Sequence, residues 1–181
     1  MTELILIHYF SMNDKIFLIG FMGSGKSTIS RKLAKLLGYE VMDLDRLIEL
    51  KEGMSIDDYF HRYGEDAFRQ REYEMLRHMN YPEKVVLATG GGTPCHFDNM
   101  DWMNSNGITI YISLNVPSLV SRLKNAKSGR PAIKDLGEDE LKNFITNKLA
   151  EREKFYSKAK FMVSGIDLTA EKLVQYLEML N

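Results

Sequence analysis

Between Gly20 and Ser27 the chain reads Gly-Phe-Met-Gly-Ser-Gly-Lys-Ser, which fits the spacing G-x-x-x-x-G-K-[ST]. Glycines in such a run let backbone N–H groups turn inward around phosphate oxygens, and a helix opening at its end adds positive potential. Lys26 is then placed to reach the β- and γ-phosphates of a nucleotide, and the Ser27 hydroxyl to ligate Mg²⁺. A second group is the carboxylate pair Asp43 and Asp45, on either side of Leu44. An EF-hand reading fails, because Leu47, Ile48 and Met54 stand where its loop needs acidic residues and glycine. One of the two aspartates can serve as a helix cap. In phosphoryl transfer, one carboxylate can hold a metal-bound water while the other meets the attacking hydroxyl.

Three further features bear on the acceptor. Arg69 follows Glu65 by four residues on a helical stretch, a spacing that by itself suits a solvated ion pair of little energetic value. Arg71 is expected to be the solvated arginine of that stretch. Thr89-Gly90-Gly91-Gly92 comes straight after an apolar run. Three glycines lose much entropy on folding, so close approach of the backbone to a substrate is the better explanation. Gly129-Arg130-Pro131 lies in a polar segment, where an arginine can close over phosphates, and Arg152 sits in the charged run from Glu151 to Lys154.

The elements that must hold these residues alternate. Residues 16–19, 39–42, 85–88, 108–112 and 161–163 read as short buried strands. Residues 27–37, closed by Gly38, and 45–52, 56–79, 117–124, 138–156 and 170–180 read as helices, with a break near Gly64. Strands separated by helices predict an α/β domain with a mainly parallel sheet, whose ligands bind at the carboxyl ends of the strands. Every motif above falls there.

At 181 residues, one domain is expected. The net charge of −1 argues against a nucleic-acid or membrane-surface protein. One cysteine, Cys95, excludes a disulfide framework and a multi-thiolate metal site, and no apolar run approaches the roughly 18 residues of a membrane span. A cytoplasmic protein is expected. Residues 4–10 are apolar without the flanks of a signal peptide. They read as an edge strand or a frayed end, so residues 1–12 are expected to be an extension, with Met12 the functional start. The 11 methionines and Trp102 read as packing, Cys95 as a bystander thiol, and His61 and His78 as helix-surface residues.

Taken together, these residues resemble the shikimate kinase family from about Lys15 to the last helix. The resemblance rests on the Gly20–Thr28 loop, Val41-Met42-Asp43-Leu44-Asp45, Gly64-Glu65 with Phe68-Arg69 and Glu72, the triple glycine, Arg130-Pro131, and Arg152 four residues before Tyr156. It implies a P-loop kinase of the nucleoside-monophosphate kinase type: a five-stranded parallel sheet flanked by helices, a substrate-binding helical excursion over about 45–80 and a lid over about 124–137. It also implies transfer of the ATP γ-phosphoryl group to the 3-hydroxyl of shikimate by a monomer, with Mg²⁺. By the same resemblance Gly23, Ser24, Gly25, Lys26, Ser27, Thr28 and Arg130 bind ATP, Asp45 engages the substrate hydroxyl, and Asp43 supports the metal through water. Arg69 and Arg152 take the shikimate carboxylate, and Gly91 and Gly92 approach the ring. The lid reads Arg130-Pro131-Ala132-Ile133 where relatives carry two leucines, and Thr93-Pro94-Cys95 replaces small or aliphatic residues.

Planar arginine suits a carboxylate independently of the resemblance. Because transfer passes through a loose transition state, an aspartate of ordinary pKa, about 3.9, is expected to suffice as proton acceptor. Gluconate or nucleoside-monophosphate kinases are the alternative enzymes, and a non-catalytic nucleotide-binding module is the alternative of another class.

Overall fold

The computed structural model describes residues 15–124, 133 and 135–179. The expectations for residues 1–12, for Arg130 and Pro131, and for most of the lid lie outside them.

Strand β1 (Lys15–Ile19) leads into helix α1 (Lys26–Leu37), followed by β2 (Glu40–Asp43), α2 (Leu44–Glu52) and α3 (Ile56–His78). Then come β3 (Val85–Ala88), a 3₁₀ turn (Thr93–Cys95), α4 (Asn99–Asn106), β4 (Ile108–Ser113) and α5 (Val116–Lys124). Helix α6 (Glu138–Tyr156), β5 (Phe161–Ser164) and α7 (Ala170–Glu178) complete the order. The five strands form one sheet in the order β2-β3-β1-β4-β5, all paired in parallel.

Successive side chains of a strand point to opposite faces. In β1, Phe17 and Ile19 join one buried cluster with Leu44, Phe68, Leu76, Tyr111 and Tyr156, while Ile16 and Leu18 join a second with Ile29, Leu33, Ile110 and Leu173. Both faces are covered, which is why the strand reads as an unbroken apolar run.

The expected helices are present, and the break at Gly64 is real, with φ at 82° inside α3. Gly38 ends α1 in the left-handed region and its N–H bonds the Ala34 carbonyl. Helix α4 is the element absent from the sequence reading. Its polar residues have weak helical preference, and tertiary contact holds it: Met100 and Met103 are buried, and Trp102 meets Phe17 edge-on with centroids 6.0 Å apart. Trp102 is thus a packing residue, as expected.

The strand order decides what meets. Because β1 lies between β3 and β4, the segment after β1 sits beside the triple glycine after β3, with the end of β2 next along the same edge.

Candidate active site

The segment after β1 forms the phosphate cradle. Gly20, Gly23 and Gly25 have φ of 144°, 79° and 99°, conformations that side chains resist. Gly25 is also the N-cap of α1, so the loop delivers its N–H groups to a helix N-terminus. The Lys26 ammonium donates to the carbonyls of Gly20 at 2.8 Å and Phe21 at 2.9 Å. Helix α5 braces the loop from behind. A Cβ on Gly23 would lie 2.9 Å from Leu123 Cδ2, and Arg122 donates to the carbonyls of Ser24 at 3.2 Å and Gly165 at 3.0 Å. Sequence reasoning gave Arg122 no role, since its carbonyl partners lie far away in the chain.

Asp43 caps a helix and also meets the phosphate loop. One oxygen accepts from Arg46 N–H at 3.4 Å as the cap of α2, and the other accepts from Ser27 Oγ at 2.7 Å. Asp45, two residues on, is partly exposed and differs from the expectation of an ordinary carboxyl. Burial, then the charges of Glu72 and Asp43, push its pKa up to about 7 against the smaller opposing pull of Lys26 and Arg69.

The triple glycine is explained by what touches it. None of the three takes a left-handed φ; what each supplies is a missing Cβ. On Gly90 that atom would fall 2.7 Å from both Asp45 Oδ1 and Glu72 Oε1. On Gly91 it would fall 3.2 Å from Arg152 Nη1, and on Gly92 2.7 Å from the Arg69 guanidinium. The glycines therefore let four charged side chains from α2, α3 and α6 close onto the end of β3. Gly90→Ala is expected to disturb Asp45 and Glu72 together and to cost more activity than Gly38→Ala, whose Cβ meets nothing within 4 Å; comparing kcat of the two variants checks this.

Arg69 and Arg152 are not surface charges. Arg69 is 9% exposed and is held by Glu65, at 2.9 Å from Nη2, and by Glu72, at 2.5 Å from Nη1. Glu72 is fully buried and also accepts from Thr93 Oγ1. Three guanidinium N–H groups are engaged, one of them Nε on Glu65, which leaves two of five. Arg152 stacks over the Phe21 ring at 5.3 Å, and its Nη1 is buried with no hydrogen-bond partner among the described residues. Tyr156, one turn along α6, donates to the Gly91 carbonyl at 2.6 Å and so ties this helix to the glycines.

The structure corrects the expectation for Arg71. It bonds Glu52 at 2.6 Å and Glu74 at 3.3 Å, joining α2 to α3. The Cys95 thiol is pushed up to about 11 by burial, which disfavours the reactive thiolate. Glu72 and Thr93 received no role from sequence. The signal for Glu72 was its place three residues after Arg69, on the same helical face. A 570 Å³ groove between β5 and α7 is lined by Met162, Val163, Leu173 and Tyr176 among others. It includes none of these polar groups.

A phosphate loop after β1, a carboxylate pair at the end of β2 and a charged site on the glycines after β3 define a P-loop kinase for a small acceptor. A family model described as shikimate kinase matches residues 22–180. The chain belongs to the shikimate kinase family. A shikimate kinase of Parabacteroides distasonis is 41% identical over 160 residues, 88% of this chain and 90% of that protein. The crystal structure of shikimate kinase from Bacteroides thetaiotaomicron superposes with a TM-score of 0.86 at 37% identity, covering 92% of this chain and 97% of that one. Shikimate kinase from Acinetobacter baumannii, solved in complex with shikimate, gives 0.83 at 32% identity, covering 96% and 95%.

Proposed function

We infer that this chain transfers the γ-phosphoryl group of ATP to the 3-hydroxyl of shikimate, giving shikimate 3-phosphate and ADP in chorismate and aromatic amino-acid biosynthesis. Beside family membership, the observation that carries this reading is the pair Arg69 and Arg152. They come from separate helices onto consecutive glycines, and a buried N–H of Arg152 has no partner among the described residues. A buried donor of that kind is costly unless a ligand satisfies it, and a carboxylate matches the guanidinium fork.

The division of labour follows from chemistry. Gly23, Ser24, Gly25, Lys26 and Thr28 hold the triphosphate. Ser27 and Asp43 present hard oxygen donors 2.7 Å apart, a set that fits Mg²⁺, which takes few protein oxygens and completes its shell with water and phosphate. When bound, the ion neutralises phosphate charge. Asp45 accepts the proton of the 3-hydroxyl as that oxygen bonds to the γ-phosphorus and the bond to ADP breaks. Gly91 and Gly92 let the backbone approach the ring, and Arg130 closes over the transferring group. We assign the chain one catalytic domain, with residues 45–80 as the substrate region and 124–137 as the lid. It is taken to act as a monomer in the cytoplasm, the compartment being supported by its single thiol. Among the described residues no helix is long and apolar enough to cross a membrane.

A panel of shikimate, gluconate, AMP and CMP in an ADP-release assay tests the substrate. Turnover with shikimate alone is expected, and ATP binding without turnover on any of them would make the chain a regulatory module. Arg69→Ala and Arg152→Ala should each raise the shikimate KM about ten- to hundredfold, from the loss of about 1.5–3 kcal/mol of charge-assisted bonding. The ATP KM should hardly change. Lysine should rescue poorly, since a point charge lacks the planar fork. Arg71→Ala should leave both KM values alone yet lower the melting temperature by about 2–4 °C, the loss of about 1 kcal/mol of helix-to-helix pairing. Measuring all three variants in one buffer separates substrate contact from scaffold.

A further inference from the structure

Thr93 is the residue at the edge of this site whose side chain has no expected task. It is fully buried, and its backbone is fixed on both sides. Its N–H bonds the Gly90 carbonyl at 3.3 Å, and its carbonyl accepts from Asn99 Nδ2 at 2.9 Å. Asn99 is itself held by Arg77, whose Nη1 lies 2.6 Å from its Oδ1. The hydroxyl is thereby aimed at a single acceptor, Glu72 Oε1.

That contact matters because of what Glu72 does with its other oxygen. Glu72 Oε2 binds Arg69 Nη1, so the rotation of the carboxyl group sets the plane of the guanidinium. A carboxyl anchored at one oxygen only is free to turn about its terminal torsion, which is broad. Anchored at both, it is not. The remaining space is closed: Gly90 has no room for a Cβ against Glu72 Oε1 and Thr93 Oγ1, and the Arg69 guanidinium lies against Phe60 and Phe68 at 5.8 and 5.3 Å from the ring centres.

We propose that Thr93 is a positioning residue for substrate binding: its hydroxyl locks the Glu72 carboxylate, which orients the Arg69 guanidinium toward the carboxylate of the acceptor. This rests on the assignment of Arg69 to the shikimate carboxylate. Thr93→Val keeps shape and volume but removes the donor, leaving a buried carboxylate oxygen without it. Misplacement of a binding group by a fraction of an ångström weakens a bidentate contact severely.

The test compares Thr93→Val, Thr93→Ser and Arg69→Ala, alone and as the double variants with Arg69→Ala, by steady-state kinetics and by calorimetric titration of shikimate. Thr93→Val should raise the shikimate KM and Kd about tenfold, the size of one impaired charge-assisted bond. The ATP KM should be unchanged and kcat should fall by less than about threefold. Thr93→Ser, which keeps the hydroxyl, should stay near wild type. In the Arg69→Ala background Thr93→Val should add nothing, because its effect passes through Arg69. An equal rise in both KM values, no recovery with serine, or full additivity with Arg69→Ala would overturn the proposal. A normal shikimate KM in Arg69→Ala alone would instead overturn the carboxylate assignment. Should Thr93→Val fail to fold, Thr93→Cys, with a weak donor of similar size, is expected to show the same selective rise in the shikimate KM, and an unchanged KM there would overturn the proposal.

Discussion

Asp45→Asn is expected to lose turnover by two or more orders of magnitude and at the same time to make the protein more stable above neutral pH. The first effect removes the acceptor for the hydroxyl proton while keeping the shape of the side chain. General-base contributions of about 10²–10⁴ in rate are usual. The second effect follows from the raised pKa. In the folded chain Asp45 titrates at about 7, against 3.8 for an unperturbed aspartate, so folding takes up a proton between those values. Its contribution to stability therefore falls as pH rises from 3.8 to 7, and above 7 the full cost of the buried charge is present. That cost has an upper limit of about 4 kcal/mol, and partial exposure screens it to a fraction of that. Melting curves of the two proteins should nearly coincide at the acid end and separate by several degrees at pH 8, with the Asn variant higher. In the wild type, kcat/KM should rise with pH through about 7, as the free enzyme loses this proton. Asp43→Asn should behave differently, raising the Mg²⁺ concentration needed for half-maximal rate. If Asn at 45 left turnover intact and Asn at 43 abolished it at all Mg²⁺ levels, the roles would be reversed.

Lys26→Ala should lower kcat by two to three orders of magnitude in a protein that still folds. Its ammonium sits on the Gly20 and Phe21 carbonyls, within the glycine-rich loop assigned to the phosphates. A preorganised donor at the place where transition-state charge collects is worth about 10²–10³ in rate. The fold should survive because the core of β1 and α1 is built from Ile16, Leu18, Ile29 and Leu33, none of which the substitution touches. Circular dichroism and a melting curve check the fold, and single-turnover kinetics check the chemical step. Near-normal turnover would sink the assignment of the cradle.

Much of this protein is written in local sequence. The phosphate loop is legible because its work is done by backbone N–H groups whose geometry depends on glycines at fixed spacing. The strands and helices are legible because burial imposes a period of two or of 3.6 on neighbouring residues. Gly38 and Gly64 mark a helix end and a break for the same local reason, a φ that other residues resist. Helix α4 escaped because packing of Met100, Trp102 and Met103, rather than the preference of its residues, holds it.

The site itself was legible as a set of residue types and not as a set of environments. Asp43, two residues away, raises the Asp45 pKa least; the larger effects are burial and the charge of Glu72, which arrives from another helix. Nothing near Arg71 shows that Glu52 will meet it. The triple glycine announced a close approach, but only the folded chain shows that Asp45, Glu72, Arg152 and Arg69 are what come close. Spacing along a chain fixes backbone conformation within a few residues, whereas desolvation and Coulomb interaction depend on distance through space. Here those distances are set by the strand order β2-β3-β1-β4-β5, which brings three loop ends to one edge of the sheet.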